Sequence, residues 1–441
     1  MLNVEKNYNL KIKIRQIVLI YFFGFLVIDL INGFLLSAFG ASMPISFGQI
    51  IRGLFTIIFL YDIIACRVLN RNNRHIFYLL SIAPLSIILF CFRDGSFKVL
   101  PLELIALIKP VFFLLLLNQV VQHTKYFNKY LNKIIITNLL FYSSTIIFSY
   151  TFDTGINAYS TYYDANKSFF YASNATAVIG FSFAIYFTYQ LKKRIYNLFF
   201  LFLALLALFI SGSMIVLIYP LFLLYFLAYK VFSQPIYKFF TTTIILLTVT
   251  LFITGALNSF LFIDNALFFR YQDRAFHSIN YFDKHSTINI TPLRWYSYVS
   301  GTRAIRANEG LNNLINEPSS LAIGYGNAMR SKKVGEDYGG RTGSEMDFID
   351  ILLDYGLIGF ILIYLPIFKT IISLLWRFST TVNAMMIYFI FLYSSFAGHV
   401  ITAPMGGAFF ALFLGLEYGR LFQIDMTKNK RNILSKNKLA I

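Results

Sequence analysis

Apolar positions run through this chain in long blocks, and the blocks are interrupted at length only once. Stretches of membrane-spanning size occupy residues 17–39, 47–66, 76–92, 99–121, 134–150, 169–189, 196–229 and 239–263. About 80 polar and charged residues follow, over 264–346, and apolar runs then resume at 347–368, 382–396 and 405–422. A helix crosses the ~30 Å hydrocarbon core of a bilayer with ~20 mostly apolar residues, so each run predicts such a helix. The run 196–229 is too long for one, since as a single helix it would reach roughly 51 Å. Ser211-Gly212-Ser213 at its centre offers a break and divides it into two short helices. The expected fold is all-α: a polytopic integral membrane protein of about 12 transmembrane helices, with one large extracytoplasmic loop between helices 9 and 10. Residues 1–263 then form an N-terminal membrane bundle of about nine helices and 264–346 a partly helical loop. Residues 347–422 form the C-terminal membrane helices, and 423–441 a basic cytoplasmic tail.

Charge sets the orientation. Lys11, Lys13 and Arg15; Arg67, Arg71 and Arg74; Lys125, Lys129 and Lys133; Lys192, Lys193 and Arg194; Lys230 and Lys238; and the basic tail after Arg420 all fall on one side of a twelve-span chain. Eleven spans would send Lys230, Lys238 and the tail to the other side. Cytoplasmic loops are the ones rich in Lys and Arg, so both termini are expected in the cytoplasm and the long polar stretch outside. The chain is 57% hydrophobic and 13% charged, against about 25% charged in soluble proteins. Its net charge of +18 resides mainly in these short clusters, which points to a lipid bilayer and excludes nucleic acid as the partner. Cys66 and Cys91 fall near opposite membrane faces, so neither a disulfide nor a zinc site is expected. The first run is longer than a signal-peptide core and is expected to be retained.

The long polar stretch differs from the topogenic clusters. It holds ten basic and eight acidic residues, and loops of such length are functional or disordered. Trp295, Tyr298, Val299, Ile305, Leu311, Leu314 and Ile315 recur at helical spacing, which predicts an amphipathic helix ending before Pro318 and lying on the membrane surface. Arg294, Arg303 and Arg306 belong to it, and the last two share a face. Guanidinium forks bind phosphate oxygens, so the set suits a lipid diphosphate. Surface pairing, as of Arg306 with Glu309, is the other reading. At the loop exit, Ser344 and Asp347 have the spacing of a capping box. Asp347, Asp350 and Asp354 share one helical face, with Asp354 roughly 10 Å below Asp347. Glu345 or Asp347 could act as a general base towards a hydroxyl. Asp29, Arg52, Glu103 and Lys109 fall in the outer halves of spans. They either pair with one another or line a polar pocket that opens outward. His399, at the outer end of a span, titrates near the surface or caps a helix. No Walker loop, His-Glu-x-x-His or Gly-x-Ser-x-Gly motif occurs. Neither metal nor cofactor is expected.

Several of these pieces, in this order, look familiar. They are the aromatic-then-Asn run from Ser168 to Ala175, Ile210-Ser-Gly-Ser213, Arg294-Trp295 followed by Pro318 and Gly324-Tyr325-Gly326, Asp354-Tyr-Gly-Leu-Ile-Gly359, and Gly398-His399. Together they resemble the O-antigen ligase/polymerase superfamily, and its Wzy-type repeat-unit polymerases in particular. The resemblance covers nearly the whole chain. It implies a metal-independent glycosyltransferase at the outer face of the bacterial inner membrane, joining undecaprenyl-diphosphate-linked oligosaccharides into O-antigen, capsule or exopolysaccharide. On that pattern Arg294, with Arg303, Arg306, Arg52 and Lys109, meets the diphosphate. Trp295, Gly324 and Gly326 help to hold the substrate. Glu345, Asp347 or His399 takes the proton of the acceptor hydroxyl. A chain-length regulator and a flippase of the same pathway are the expected protein partners. Ligase-like members often carry Arg where Met214 stands, and tend to carry His where Ser344-Glu345-Met346-Asp347 stands. Both differences favour a polymerase over a ligase. A lipid-linked oligosaccharide flippase is the rival from another class, and would show repeat-like halves rather than one dominant outer loop.

Overall fold

A computed structural model describes residues 2–39, 45–65, 88, 100–156, 166–170, 172–191, 194–211, 219–220, 222–223, 302–327, 330, 343–396 and 398–438. Among the described residues the chain is helical, with turns and short extended connections and no β-strand. The helices are α1 (Leu2–Phe39), α2 (Phe47–Ala65), α3 (Leu100–Gln122), α4 (Thr124–Thr151), α5 (Ser173–Gln190) and α6 (Asn197–Ile210). After them come α7 (Thr302–Asn316), α8 (Pro318–Ile323), α9 (Asp347–Trp376), α10 (Val382–Phe396) and α11 (Pro404–Lys438). Five of them, α1, α2, α3, α4 and α9, are long and apolar enough to cross a membrane. The expected spans at 76–92 and 239–263 and the second half of 196–229, apart from residues 88, 219–220 and 222–223, together with both cysteines, Arg294 and Trp295, lie outside the described residues.

Helix boundaries follow local chemistry. α6 stops at the expected break, with Ser211 as its C-cap. α7 stops at Asn316, and α8 takes Pro318 into its first turn, where the missing N–H is no loss. α4 begins at Thr124, well before its apolar run. Lys129 and Lys133 stand on its polar flank, each about 6 Å from the Tyr130 ring. α11 runs on to Lys438, through most of the stretch expected as the basic tail.

The centre of the bundle is α5 and the first turns of α11. Every residue of α5 from Ala175 to Thr188 is buried, and so is every residue of 405–417. Helices apolar on all sides are the ones packed on all sides. α11 packs against α3, α10, α5, α1, α9 and α4. At Gly415 and Gly419 it comes so near that a Cβ would strike Val120 and Thr124. The outer faces of α1, α2, α6 and α9 display Ile20, Ile57, Phe202 and Ile361. An apolar surface of this extent suits lipid better than water.

Contacts between helix ends sort the bundle into two ends. At one, Arg15 of α1 lies 4.1 Å from the Tyr126 ring of α4, and Gln119 of α3 donates to Asp62 of α2 at 2.7 Å. At that end too, Asn383 of α10 donates to Glu417 of α11, and Lys369 of α9 sits over Tyr418. The end of α1, the starts of α2, α3, α5 and α9, and the α10–α11 turn therefore meet at the other end.

There α9 is interrupted. Gly356 has φ 62° and ψ −171°, so the helix leaves its path for one residue. The N–H groups of Tyr325 and Gly326 donate to the carbonyls of Leu353 (2.7 Å) and Asp354 (3.1 Å). The segment after α8 therefore does not stay on the surface, as its polarity had suggested. It enters the bundle to the level of Asp354. Non-helical backbone survives at such depth only where protein groups satisfy it, and here the two irregular segments satisfy each other. Gly324 also has positive φ (82°), and a Cβ on it would lie 2.4 Å from the Asp354 carbonyl oxygen. A Cβ on Gly356 would lie 2.4 Å from that of Ala322.

Replacing Gly356 with Ala combines left-handed strain of ~1–2 kcal/mol with this clash. G356A should lose more than about 2 kcal/mol of stability, read as a lowered melting temperature in detergent. A variant melting like the wild type would contradict the joint between the two segments.

Candidate functional site

A cavity of about 710 Å³ opens where these ends meet. Its wall divides into a half where charges are paired at short range and a half where two cations, Arg52 and Lys109, have no hydrogen-bond or ion-pair partner among the described residues.

The paired half is built on α9 and the loop before it. Arg330 Nη1 stands 3.0 Å from Asp354 Oδ2 and 3.7 Å from Asp350 Oδ2. Asn327 donates its backbone N–H to Glu103 Oε2 at 2.7 Å and its side-chain amide to Asp354 at 3.4 Å. Ser344 donates both N–H and Oγ–H to Asp350 Oδ1, each at 2.9 Å. The capping box expected from Ser344 and Asp347 does not form. Met346 is the N-cap and makes no side-chain bond, because Asp350 reaches back to Ser344 instead.

Asp347 is wholly buried and does not line the cavity. Oδ2 accepts the N–H groups of Val400 and Ile401 at 2.6 Å each. Oδ1 accepts Thr402 Oγ1 at 2.7 Å and lies 3.3 Å from His399 Nδ1. A carboxylate has about four lone-pair sites, and these are taken, whereas a general base must present one to its substrate. Of the two carboxylates expected to serve as base, Asp347 is therefore the one that fastens the α10–α11 turn.

His399 bridges two carboxylates, with Nε2 also 3.3 Å from Asp350 Oδ2. Its ring is 39% exposed, and what it is exposed to is the cavity. Burial disfavours the imidazolium, but the hydrogen bond to Asp347 and the charges of Asp350 and Asp347 outweigh it. The pKa stands above its ordinary value despite Arg330.

Glu345 lines the cavity from a backbone position that few side chains adopt, at φ 61°. Such a conformation costs about 1–3 kcal/mol and persists where neighbours enforce it. Arg303 does so with Nε and Nη2, both 3.0 Å from Oε2. Arg306, 1% exposed, donates to the Gly343 carbonyl at 2.6 Å and lies 3.9 Å from Oε1. Arg303 and Arg306 thus stand behind Glu345 and hold it in place, rather than facing the cavity.

The other half holds Arg52 of α2 and Lys109 of α3. Arg52 Nε donates to the Gly48 carbonyl at 3.0 Å. Among the described residues its terminal nitrogens, and the Lys109 ammonium, have no hydrogen-bond or ion-pair partner. Each cation feels the charge of other groups, Lys109 that of Arg52 and then of Asp354, and Arg52 that of Tyr21 and then of Asp29. Asn32 accepts the Gly48 N–H at 2.7 Å, which leaves its NH₂ as a donor on the same wall. Two cations and neutral donors facing one space make a receptor for an anion.

Comparison with known proteins finds no matching family model, curated protein or solved structure.

Of the residues singled out by sequence, Arg52, Lys109, Glu345 and His399 meet in this cavity, and Gly324 and Gly326 shape the segment beneath it. Sequence reasoning passed over Arg330, Asn327 and Asp350 as site residues. The 347/350/354 spacing pointed to Asp350, but nothing local separates Arg330 from other loop arginines. Among the described residues no three His, Cys, Asp or Glu side chains converge as a metal-binding set.

Two measurements check this arrangement. Asp347→Asn removes the charge that gathers four donors and should lower stability by about 2–3 kcal/mol. Because the folded-state pKa of His399 is raised, its contribution to stability is complete below about pH 6.5 and disappears as pH rises through the elevated value. Melting temperature should therefore fall across that window in the wild type, and His399→Gln should flatten the fall. An equally steep fall in the variant would remove His399 as its source.

Proposed function

We propose that this chain is a membrane glycosyltransferase of polysaccharide assembly. It is a repeat-unit polymerase that moves an undecaprenyl-diphosphate-linked glycan onto a sugar hydroxyl at the outer face of the bacterial inner membrane. One observation carries the reading: one cavity at a helix-end surface combines two cations that have no hydrogen-bond or ion-pair partner among the described residues with a separately held carboxylate. The first suits a diphosphate and the second a hydroxyl proton. The sequence resemblance to Wzy-type polymerases supports it.

In this reading the bond between the anomeric carbon and the diphosphate oxygen breaks, and a bond from the acceptor oxygen to that carbon forms. Arg52 and Lys109 stabilise the charge that develops on the departing diphosphate, so the chemistry is metal-independent. Glu345, oriented by Arg303, receives the acceptor proton. Arg294 and Trp295, which lie outside the described residues, keep the substrate contacts that the resemblance gives them. The membrane topology belongs to the same proposal: twelve spans, both termini cytoplasmic. Arg15, Lys129 and Lys369 lie at the end away from the cavity, as the cytoplasmic bias of basic residues requires.

Purified protein given the lipid-linked donor should build a ladder of products on a gel. Arg52→Gln and Lys109→Gln should each slow it by about 100-fold or more, and Glu345→Gln by about 100-fold or more. In cells the same variants should leave single repeat units on the carrier at the outer face. Units trapped inside would instead indicate a flippase, and transfer of finished chains to a different acceptor a ligase. A wild-type protein that builds no ladder and leaves the lipid-linked pool unchanged would sink the proposal.

A further inference from the structure

The end of the bundle away from the cavity carries a second hollow, of about 500 Å³, among the start of α4, the end of α5, the start of α6 and the start of α10. Its wall has a different chemistry. Five side-chain amides line it (Asn128, Asn132, Gln190, Asn197 and Asn383), together with the phenols of Tyr186 and Tyr196. One cation, Arg194, completes it, and no carboxylate is among the lining residues described. One acid, Glu417, stands behind Asn383. Its oxygens lie against Asn383, Thr381 and Arg420.

Arg194 uses one of its five N–H donors on Tyr196 Oη, at 3.3 Å, and its guanidinium stands 5.7 Å from that ring. Directly beside the hollow the surface turns apolar. Ile195 is 87% exposed, and Leu198, Phe199 and Phe202 project from α6. Amides and phenols offer both donors and acceptors, which matches hydroxyl groups. A guanidinium fork matches a phosphate. An apolar flank matches acyl chains. A wall without an acid among its described residues offers an ammonium group no charged partner.

We propose that this hollow binds a phosphate ester bearing free hydroxyls, presented as the headgroup of an anionic glycerophospholipid whose chains lie along α6. The proposal is independent of the glycan chemistry at the opposite end. It selects phosphatidylglycerol over zwitterionic lipids whose headgroup carries an ammonium.

The test is native mass spectrometry of the lipid-stripped full-length protein. It is titrated with phosphatidylglycerol, phosphatidylethanolamine and phosphatidylcholine of equal chain length, with glycerol 3-phosphate as a soluble competitor. Phosphatidylglycerol should bind at least tenfold more tightly than the other two. Arg194→Gln and Asn128→Ala alter exposed positions, so both should keep the wild-type melting temperature while losing at least fivefold of that binding. Failure of glycerol 3-phosphate to displace the lipid supports the lipid source, whereas full displacement at equal affinity overturns it in favour of a soluble phosphate ester. Equal binding of the three lipids, or a preference unchanged in both variants, overturns the site itself.

Discussion

A carbonyl released from a helix inside an apolar bundle must find a donor, because water is not there to supply one. The break at Gly356 creates this demand in α9, and the N–H groups of Tyr325 and Gly326 meet it. The descent of the loop into the bundle follows from that exchange. So does the placement of Asn327 and Arg330 beside Asp354, and the closing of the cavity floor between α3 and α9. Glycine at 324 and 356 is the chemical condition for it, since each lies against the other segment's backbone with no room for a side chain.

Above that floor the charges divide their work. Arg330, Asp350, Asp354 and His399 compensate one another at short range. Removing one partner of such a buried set exposes the rest to an uncompensated charge, so these residues fix shape. Arg52 and Lys109 are different, because no carboxylate among the described residues is hydrogen-bonded or ion-paired to their terminal nitrogens. Keeping cations in a recess without partners is unfavourable unless something else brings the negative charge, and that is where a ligand gains most. Glu345 belongs to the same wall, strained in its backbone and pinned by Arg303.

Much of the helical framework was legible because membrane-length apolar runs leave few alternatives. The run at 382–396 has the bounds of α10, and the Ser211 break is where α6 ends. Polarity misled in one place, the loop. A stretch rich in Gly, Asn and Arg reads as surface, and only the partners waiting on α3 and α9 make its burial possible. The same limit applied to Asp347. Its spacing marked it as chemically interesting, but its donors sit more than fifty residues downstream in Val400, Ile401 and Thr402. Arg52 and Lys109 stood out for the opposite reason. A charge within an apolar run is conspicuous in any reading.

The walls of the cavity are supplied by both extremes of the polypeptide. Asp29, Arg52 and Lys109 are synthesised first, and Arg330, Glu345 and His399 some two hundred residues or more after Lys109. Throughout translation of the intervening chain, the early charged groups wait without the late ones that complete their surroundings. The wall of the cavity is therefore complete only once the chain has been made as far as the α10–α11 turn, which brings His399 and Thr402 to it.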